Sequence, residues 1–262
     1  MSARQQRKAE AFRALHEGDP FVIPNPWDAG SARMLEALGF DALATTSSGF
    51  AFTLGKLDGH VTLDEVAAHV AALDAATELP ISVDLENGLD ASAEAAIGAV
   101  AAAGAVGGSI EDWDRVEQRI YELDRAVERV DAAAEAAREL DFPFTFTARA
   151  ENHIHGLDDL DDTIARLQAF ERAGADVLYA PGLRTVDEIR AVCDAVSKPV
   201  NVLAFSNLSF AEIAEAGAQR VSVGGALTWV AVKAAADAAE AMRQGDFSAL
   251  AARVPLADWL GS

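Results

Sequence analysis

The chain has 262 residues, 51% of them hydrophobic, enough for one large α/β domain with a sizeable core and too apolar for disorder. Its 42 acidic and 21 basic residues leave a net charge of −21, which argues against nucleic acid and anionic membrane as partners. One cysteine, Cys193, excludes an internal disulfide framework and a cysteine-rich zinc site.

In chain order, the N-terminal "MSARQQRKAEAFRALHEG" lacks an apolar leader, and no run approaches 18 apolar residues, so a cytoplasmic, soluble protein with no membrane contact is expected. Short apolar runs then alternate with alanine-rich segments. The strand candidates are "FVIPN" (21–25), "ALATTS" (42–47), "PISVDLE" (80–86) and "GGSIED" (107–112), followed by "FTFTARAE" (144–151), "VLYAPG" (177–182), "PVNVLA" (199–204) and "RVSVGG" (220–225). Between them, segments such as "VTLDEVAAHVAALDAAT" and "VEQRIYELDRAVERVDAAAEAAREL" repeat apolar residues at three- and four-residue spacing, which predicts helices. Cys193 sits in another such segment, as a packed thiol. "ALGFDAL", "AAGAVGGSI", "RAGADVL" and "EAGAQRV" each place a glycine between helix and strand. Eight strand–helix units in this length predict a (β/α)8 TIM barrel over 1–262 as a single domain, ending in a helical tail over about 226–262. A doubly wound sheet is the alternative, but no G-x-G-x-x-G follows the first strand.

In such a barrel, reactive groups belong at the C-terminal strand ends. Those ends carry Asn25 and Asp28, Thr46 to Ser48, Asp84 and Glu86, Glu111 and Asp112, Arg149 and Glu151, Asn201, and Ser222 with Gly224 and Gly225. Buried carboxylates cost several kcal/mol unless paired or bound to a cation. Asp84, Glu86 and Glu111 on neighbouring strands therefore call for a cation, and hard oxygen donors without histidine or cysteine at metal spacing point to Mg²⁺ or Mn²⁺. Arg149 is suited to clamp a carboxylate or phosphoryl group. Pairing of Glu111 and Glu151 with Arg149 explains each acid singly; the cluster as a whole favours the metal.

For proton transfer the candidates are Asn201 and, in "ENHIHG", His153 and His155; an exposed histidine-bearing loop is the alternative for the latter two. Tyr179 reads as barrel filling. His60, Trp27 and Trp113 either wall the site or pack against neighbouring helices.

At these residues the sequence resembles the isocitrate lyase/phosphoenolpyruvate mutase superfamily, from "PNPWDAGSARMLEALGFDALATTSSGFA" to "RVSVGG". The resemblance implies a barrel whose last helix is swapped between subunits, giving homodimers or homotetramers. It also implies Mg²⁺-dependent chemistry at a 2-oxo acid through an enolpyruvate-like intermediate. "TTSSG" resembles the loop that holds the oxo-acid carboxylate, here Thr46, Ser47 and Ser48. "LGKLDG" supplies Asp58 near the metal's water shell. "VDLENG" resembles D-x-D-x-G, making Asp84 the direct ligand and Glu86 the second acid. "SIED" resembles K-I-E-D, with Glu111 in the shell, and "TARAE" supplies the substrate-binding Arg149 with Glu151 beside it.

The sequence departs from the family at Glu86, at Ser109 in place of lysine, and above all in lacking K-[KR]-C-G-H. After Asp112 it passes through "WDRVEQRIYELDRAVERV" almost directly into predicted helix. The expected activity is a C–C lyase or decarboxylase acting on a small anionic 2-oxo acid. The alternatives are a C–P phosphonomutase or hydrolase acting on a phosphonate, a silent metabolite-binding relative, and a class II aldolase-like barrel with histidine in its metal shell.

Overall fold

The computed structural model describes residues 2–261; the end residues of the expected span 1–262 lie outside the described ones. All eight expected strands form. They are β1 (Phe21–Ile23), β2 (Leu43–Ala44), β3 (Ile81–Asp84), β4 (Gly107–Glu111), β7 (Thr145–Arg149), β8 (Val177–Tyr179), β9 (Val200–Leu203) and β10 (Arg220–Ser222). All pair in parallel, in the order β1-β10-β9-β8-β7-β4-β3-β2. The remaining seam, between β1 and β2, is stitched just beyond the strands. The Ala44 amide donates to the Pro24 carbonyl at 3.0 Å, and Asn25 Nδ2 donates to the Thr45 carbonyl at 3.0 Å. Asn25 Oδ1 in turn accepts from the Val223 amide at 3.0 Å, so this residue ties three strand ends together. The result is the expected TIM barrel.

Helices α2 (Ala29–Ala37), α4 (Leu63–Ala76), α5 (Ala93–Ala102), α6 (Leu123–Arg138), α7 (Leu160–Arg172), α8 (Val186–Ala195) and α9 (Phe210–Glu215) follow strands along the chain. Asp28, Thr62, Thr185 and Ser209 start α2, α4, α8 and α9 with reciprocal capping boxes, each typically worth about 1 kcal/mol. The first helix, α1 (Ala3–Leu15), closes the N-terminal end of the barrel. Its Phe12 is fully buried against β4, where a Cβ on Gly107 would fall 2.7 Å from the Phe12 ring. Cys193 is a packed thiol, and burial pushes its pKa up to about 12.

One expected helix starts later than its spacing suggests. Residues 113–120 form a hairpin, β5 (Trp113–Asp114) and β6 (Arg119–Ile120), with Trp113 opposite Ile120. Asp114 Oδ1 accepts from the Val116 and Glu117 amides at 3.0 Å each, and Gln118 takes the left-handed φ of 51°. These contacts fix a turn where a helix was expected. Val116, which seeded the helical spacing, is 82% exposed at the tip.

The C-terminal tail is α10 (Ala226–Arg243), a short 3-10 turn and α11 (Leu256–Leu260), which packs on α2. Among the described residues no helix is long and apolar enough to cross a membrane.

Candidate active site

Asp84 ends β3, and two residues on Glu86 adopts φ 48°, a left-handed conformation that a non-glycine residue takes only under constraint. Asp84 lines an inner chamber of about 250 Å³ and Glu86 an adjoining outer one of about 450 Å³. Ser47, Asp58, Arg149 and Ile154 border both chambers.

Arg149 stands at the centre of the mouth. Its Nη1 donates to Asp84 Oδ1 at 2.7 Å and its Nε to Glu151 Oε1 at 2.9 Å, while Nη2 lies 3.1 Å from Glu111 Oε2. Its guanidinium carbon is 5.3 Å from the centroid of the Tyr179 ring, whose phenol burial pushes up to about 12. Burial works against the charge on Arg149, but Glu151, Glu111 and Asp84 outweigh it and hold the guanidinium well above its ordinary value. The acids are pushed the other way. Burial and then Glu151 hold Glu111 well above the usual carboxylate range, and burial raises Glu151 against the pull of Arg149. Burial and then Asp84 bring Glu86 up to about 7 and raise Asp58 as well.

Thr46 caps α3 (Ser47–Thr53), so Ser47 and Ser48 form the first turn of a helix rather than a plain loop. The Ser47 amide donates to Asp84 Oδ2 at 3.2 Å, and Thr46 Oγ1 lies 3.3 Å from Ser48 Oγ. A Cβ on Gly225 would fall 2.5 Å from Ser48 Oγ, so glycine is what lets the segment after β10 approach this turn. Asn201 is buried in the inner chamber and its Nδ2 donates to Ser222 Oγ at 2.9 Å.

The two loop histidines separate. His155 lines the outer chamber, stacked on Trp113 with ring centroids 3.5 Å apart, and its Nε2 is 3.8 Å from Glu151 Oε2. His153 lines neither chamber; its Nδ1 is 3.7 Å from Asp158 Oδ1 and its buried Nε2 has no partner. His60 lines the outer chamber, as does Trp113.

Several residues of the site escaped the sequence reading. Arg115, carried by the hairpin, donates to Glu86 Oε2 at 2.8 Å and to the Gly59 carbonyl at 2.6 Å. The Glu151 amide donates to Asp112 Oδ1 at 2.8 Å, and Arg166 donates to Asp112 Oδ2 at 3.1 Å, which braces Glu151 from behind. Thr45 Oγ1 accepts from the Asp84 amide at 2.9 Å. Neither Arg115, just ahead of a segment read as helical, nor Arg166, between the fifth and sixth barrel strands, carried a signal in the sequence.

Among the described residues, no three His, Cys, Asp or Glu side chains are placed to cage a metal by themselves. Yet Asp58, Asp84, Glu86, Glu111 and Glu151 gather around Arg149 and Arg115, an excess of negative charge, and the buried Oε1 of Glu86 has no hydrogen-bond partner. Mg²⁺ keeps several waters and takes only one or two carboxylates, so this donor set fits such an ion and not an all-protein cage.

The phosphoenolpyruvate phosphomutase family profile matches residues 12–243. A crystal structure from Burkholderia cenocepacia J2315, provisionally assigned as a lyase/mutase, is 52% identical and superposes with a TM-score of 0.95, covering 100% of this chain and 98% of that one. The oxaloacetate decarboxylase of Paraburkholderia xenovorans is 30% identical over 248 residues, covering 89% of this chain and 81% of the relative. The structure of 2,3-dimethylmalate lyase, at 25% identity, has a TM-score of 0.85 and covers 97% and 95% of the two chains. Such relatives are enzymes of the lyase and mutase kind, with small carboxylates in their names. The chain belongs to the phosphoenolpyruvate phosphomutase family, within the isocitrate lyase/phosphoenolpyruvate mutase superfamily.

Proposed function

We propose that this protein is a Mg²⁺-dependent (or Mn²⁺-dependent) C–C lyase or decarboxylase acting on a small 2-oxo acid through an enolpyruvate-like intermediate. The observation that carries this reading is the convergence of Asp84, Glu111 and Glu151 on Arg149 at the border of two chambers. Asp84, with Glu86 as second acid and Glu111 in the shell, would hold the ion. The ion would supply Lewis acidity to the oxo group and to the enolate charge that develops there.

The chain's own residues do the rest. Thr46, Ser47 and Ser48 present the substrate carboxylate with hydroxyls and with the Ser47 amide, which faces Asp84. Arg149 neutralises the departing anionic group, and Glu151 holds Arg149 in place. Asn201 hydrogen-bonds a substrate oxygen in the inner chamber. Asp58 borders both chambers, with its pKa raised by burial and then Asp84, and is the acid proposed to act at the ion's water shell. His153, the other candidate for proton transfer, would have to act from outside both chambers, where its buried Nε2 has no partner.

A C–P phosphonomutase or hydrolase is the second reading, favoured by the family that the chain matches. We read the protein as cytoplasmic and as a homodimer or homotetramer. The apolar residues exposed on the tail, Trp229, Val230, Met242, Phe247 and Leu250 among them, support burial of α10 in a second copy.

The test is a panel of 2-oxo acids and phosphonates, followed by ¹H and ³¹P NMR with and without Mg²⁺. The expected result is ion-dependent turnover of a 2-oxo acid that disappears in Arg149→Ala and Glu86→Gln. Turnover of phosphonates alone would select the second reading. No turnover, with oxalate still bound, would make the protein a metabolite binder.

A further inference from the structure

A second arginine lies inside the barrel. Arg220 opens β10, is 5% exposed, and lines the inner chamber together with Asn201 and Ser222. Its Nε donates to Asn201 Oδ1 at 2.8 Å and its Nη2 to Thr147 Oγ1 at 3.1 Å. Its Nη1 lies 3.2 Å from His16 Nε2. His16 Nδ1 is 2.8 Å from the Phe12 carbonyl, which can only accept, so Nδ1 carries the proton and Nε2 offers a lone pair to Arg220. The ring is wedged edge-on between Phe12 and Phe21, and burial together with Arg220 pushes its pKa down to about 3. All three partners are therefore neutral.

A buried guanidinium without an anion is costly, because neutral acceptors replace only part of its lost hydration. Burial lowers Arg220 to about 10, which still leaves it charged at neutral pH. The chamber it lines is the natural place for the missing anion. Arg220 also settles an ambiguity in Asn201, whose two amide ends are nearly isosteric. With Oδ1 engaged by Arg220, Nδ2 must face Ser222 and the chamber, so Asn201 presents a donor.

We infer that Arg220 is a positioning residue: from beneath the inner chamber it locks Asn201 as a hydrogen-bond donor, and its uncompensated charge attracts the substrate anion. This rests on the 2-oxo acid site proposed above. Arg149 shares its charge with three carboxylates, whereas Arg220 brings an unshared charge to the floor of the inner chamber.

The test is oxalate affinity in the presence of Mg²⁺, by calorimetry, for the unaltered protein, Arg220→Met, Asn201→Ala and the double variant, with the unliganded melting temperature of each. Arg220→Met is expected to weaken oxalate at least tenfold. In the Asn201→Ala background the same substitution should cost clearly less, since part of its effect runs through Asn201; a purely structural role would leave the two costs equal. Asn201→Asp guards against misfolding of Arg220→Met. It gives Arg220 its anion and replaces the donor by an acceptor, so oxalate binding should be lost while the melting temperature holds or rises. Oxalate binding that survives both Arg220→Met and Asn201→Asp would overturn the inference alone. No oxalate binding by the unaltered protein would overturn the site reading and this inference with it.

Discussion

Arg149 and Arg220 stand within one barrel and are held in opposite ways. At the C-terminal mouth Arg149 is enclosed by Asp84, Glu111 and Glu151, and burial works against the charge on Glu111 and Glu151. Deeper in, Arg220 has an amide oxygen, a hydroxyl and a neutral imidazole. The mouth has more negative charge than its arginines can balance, and the floor has a positive charge with nothing to balance it. A cation and an anion side by side would satisfy both, which is what a metal with a carboxylate substrate brings.

The largest expected effect breaks the mouth. Arg149→Met leaves three buried carboxylates uncompensated and should cost about 3–5 kcal/mol in urea unfolding, with part of the loss recovered by Mg²⁺. Arg220→Met removes a charge that has no counter-ion but orphans Asn201 Oδ1, Thr147 Oγ1 and His16 Nε2. The two effects oppose each other, so the expected cost is smaller, about 1–3 kcal/mol.

Acid sharpens the contrast from the floor. His16 is held neutral, its pKa lowered from 6.5 to about 3, and His69 is lowered by burial to about 4. Below pH 6.5 the unfolded chain takes up protons that the folded one refuses, so their stabilisation is complete above that pH and is lost as pH falls toward 3–4. At pH 5 His16 alone should cost on the order of 2 kcal/mol. His16→Gln, which keeps an acceptor for Arg220, should flatten the pH dependence of the urea midpoint. The smallest effect is at the rim. Arg115→Gln breaks a largely buried pair whose acid can take up a proton, so it should cost about 1 kcal/mol, while amide exchange across residues 113–120 speeds up.

Much of this was legible in the sequence. Every barrel strand was, because an all-parallel barrel buries both faces of its strands and writes them as short apolar runs between glycine stops. The cluster of Asp84, Glu111, Arg149 and Glu151 was legible because a carboxylate at the end of a core strand contradicts its surroundings. The hairpin at 113–120 was not, since two-residue strands carry too few alternations to outweigh the helical spacing of Val116, Ile120 and Leu123. Arg220 was missed although it opens "RVSVGG" as incongruously as Asp84 closes its strand. Its partners, His16 and Asn201, are distant in sequence, and only the closed barrel brings them together.

The central claim is that metal site, carboxylate turn and arginine form one assembled site. Thermal unfolding with Mg²⁺, oxalate, both or neither tests it most directly, because oxalate mimics the planar enolpyruvate anion. At a hundredfold excess over its dissociation constant, oxalate should add about 2.7 kcal/mol and raise the melting temperature by several degrees, but only when Mg²⁺ is present. A melting temperature unmoved by the pair together would mean that Arg149 alone holds the acids, and would contradict the claim.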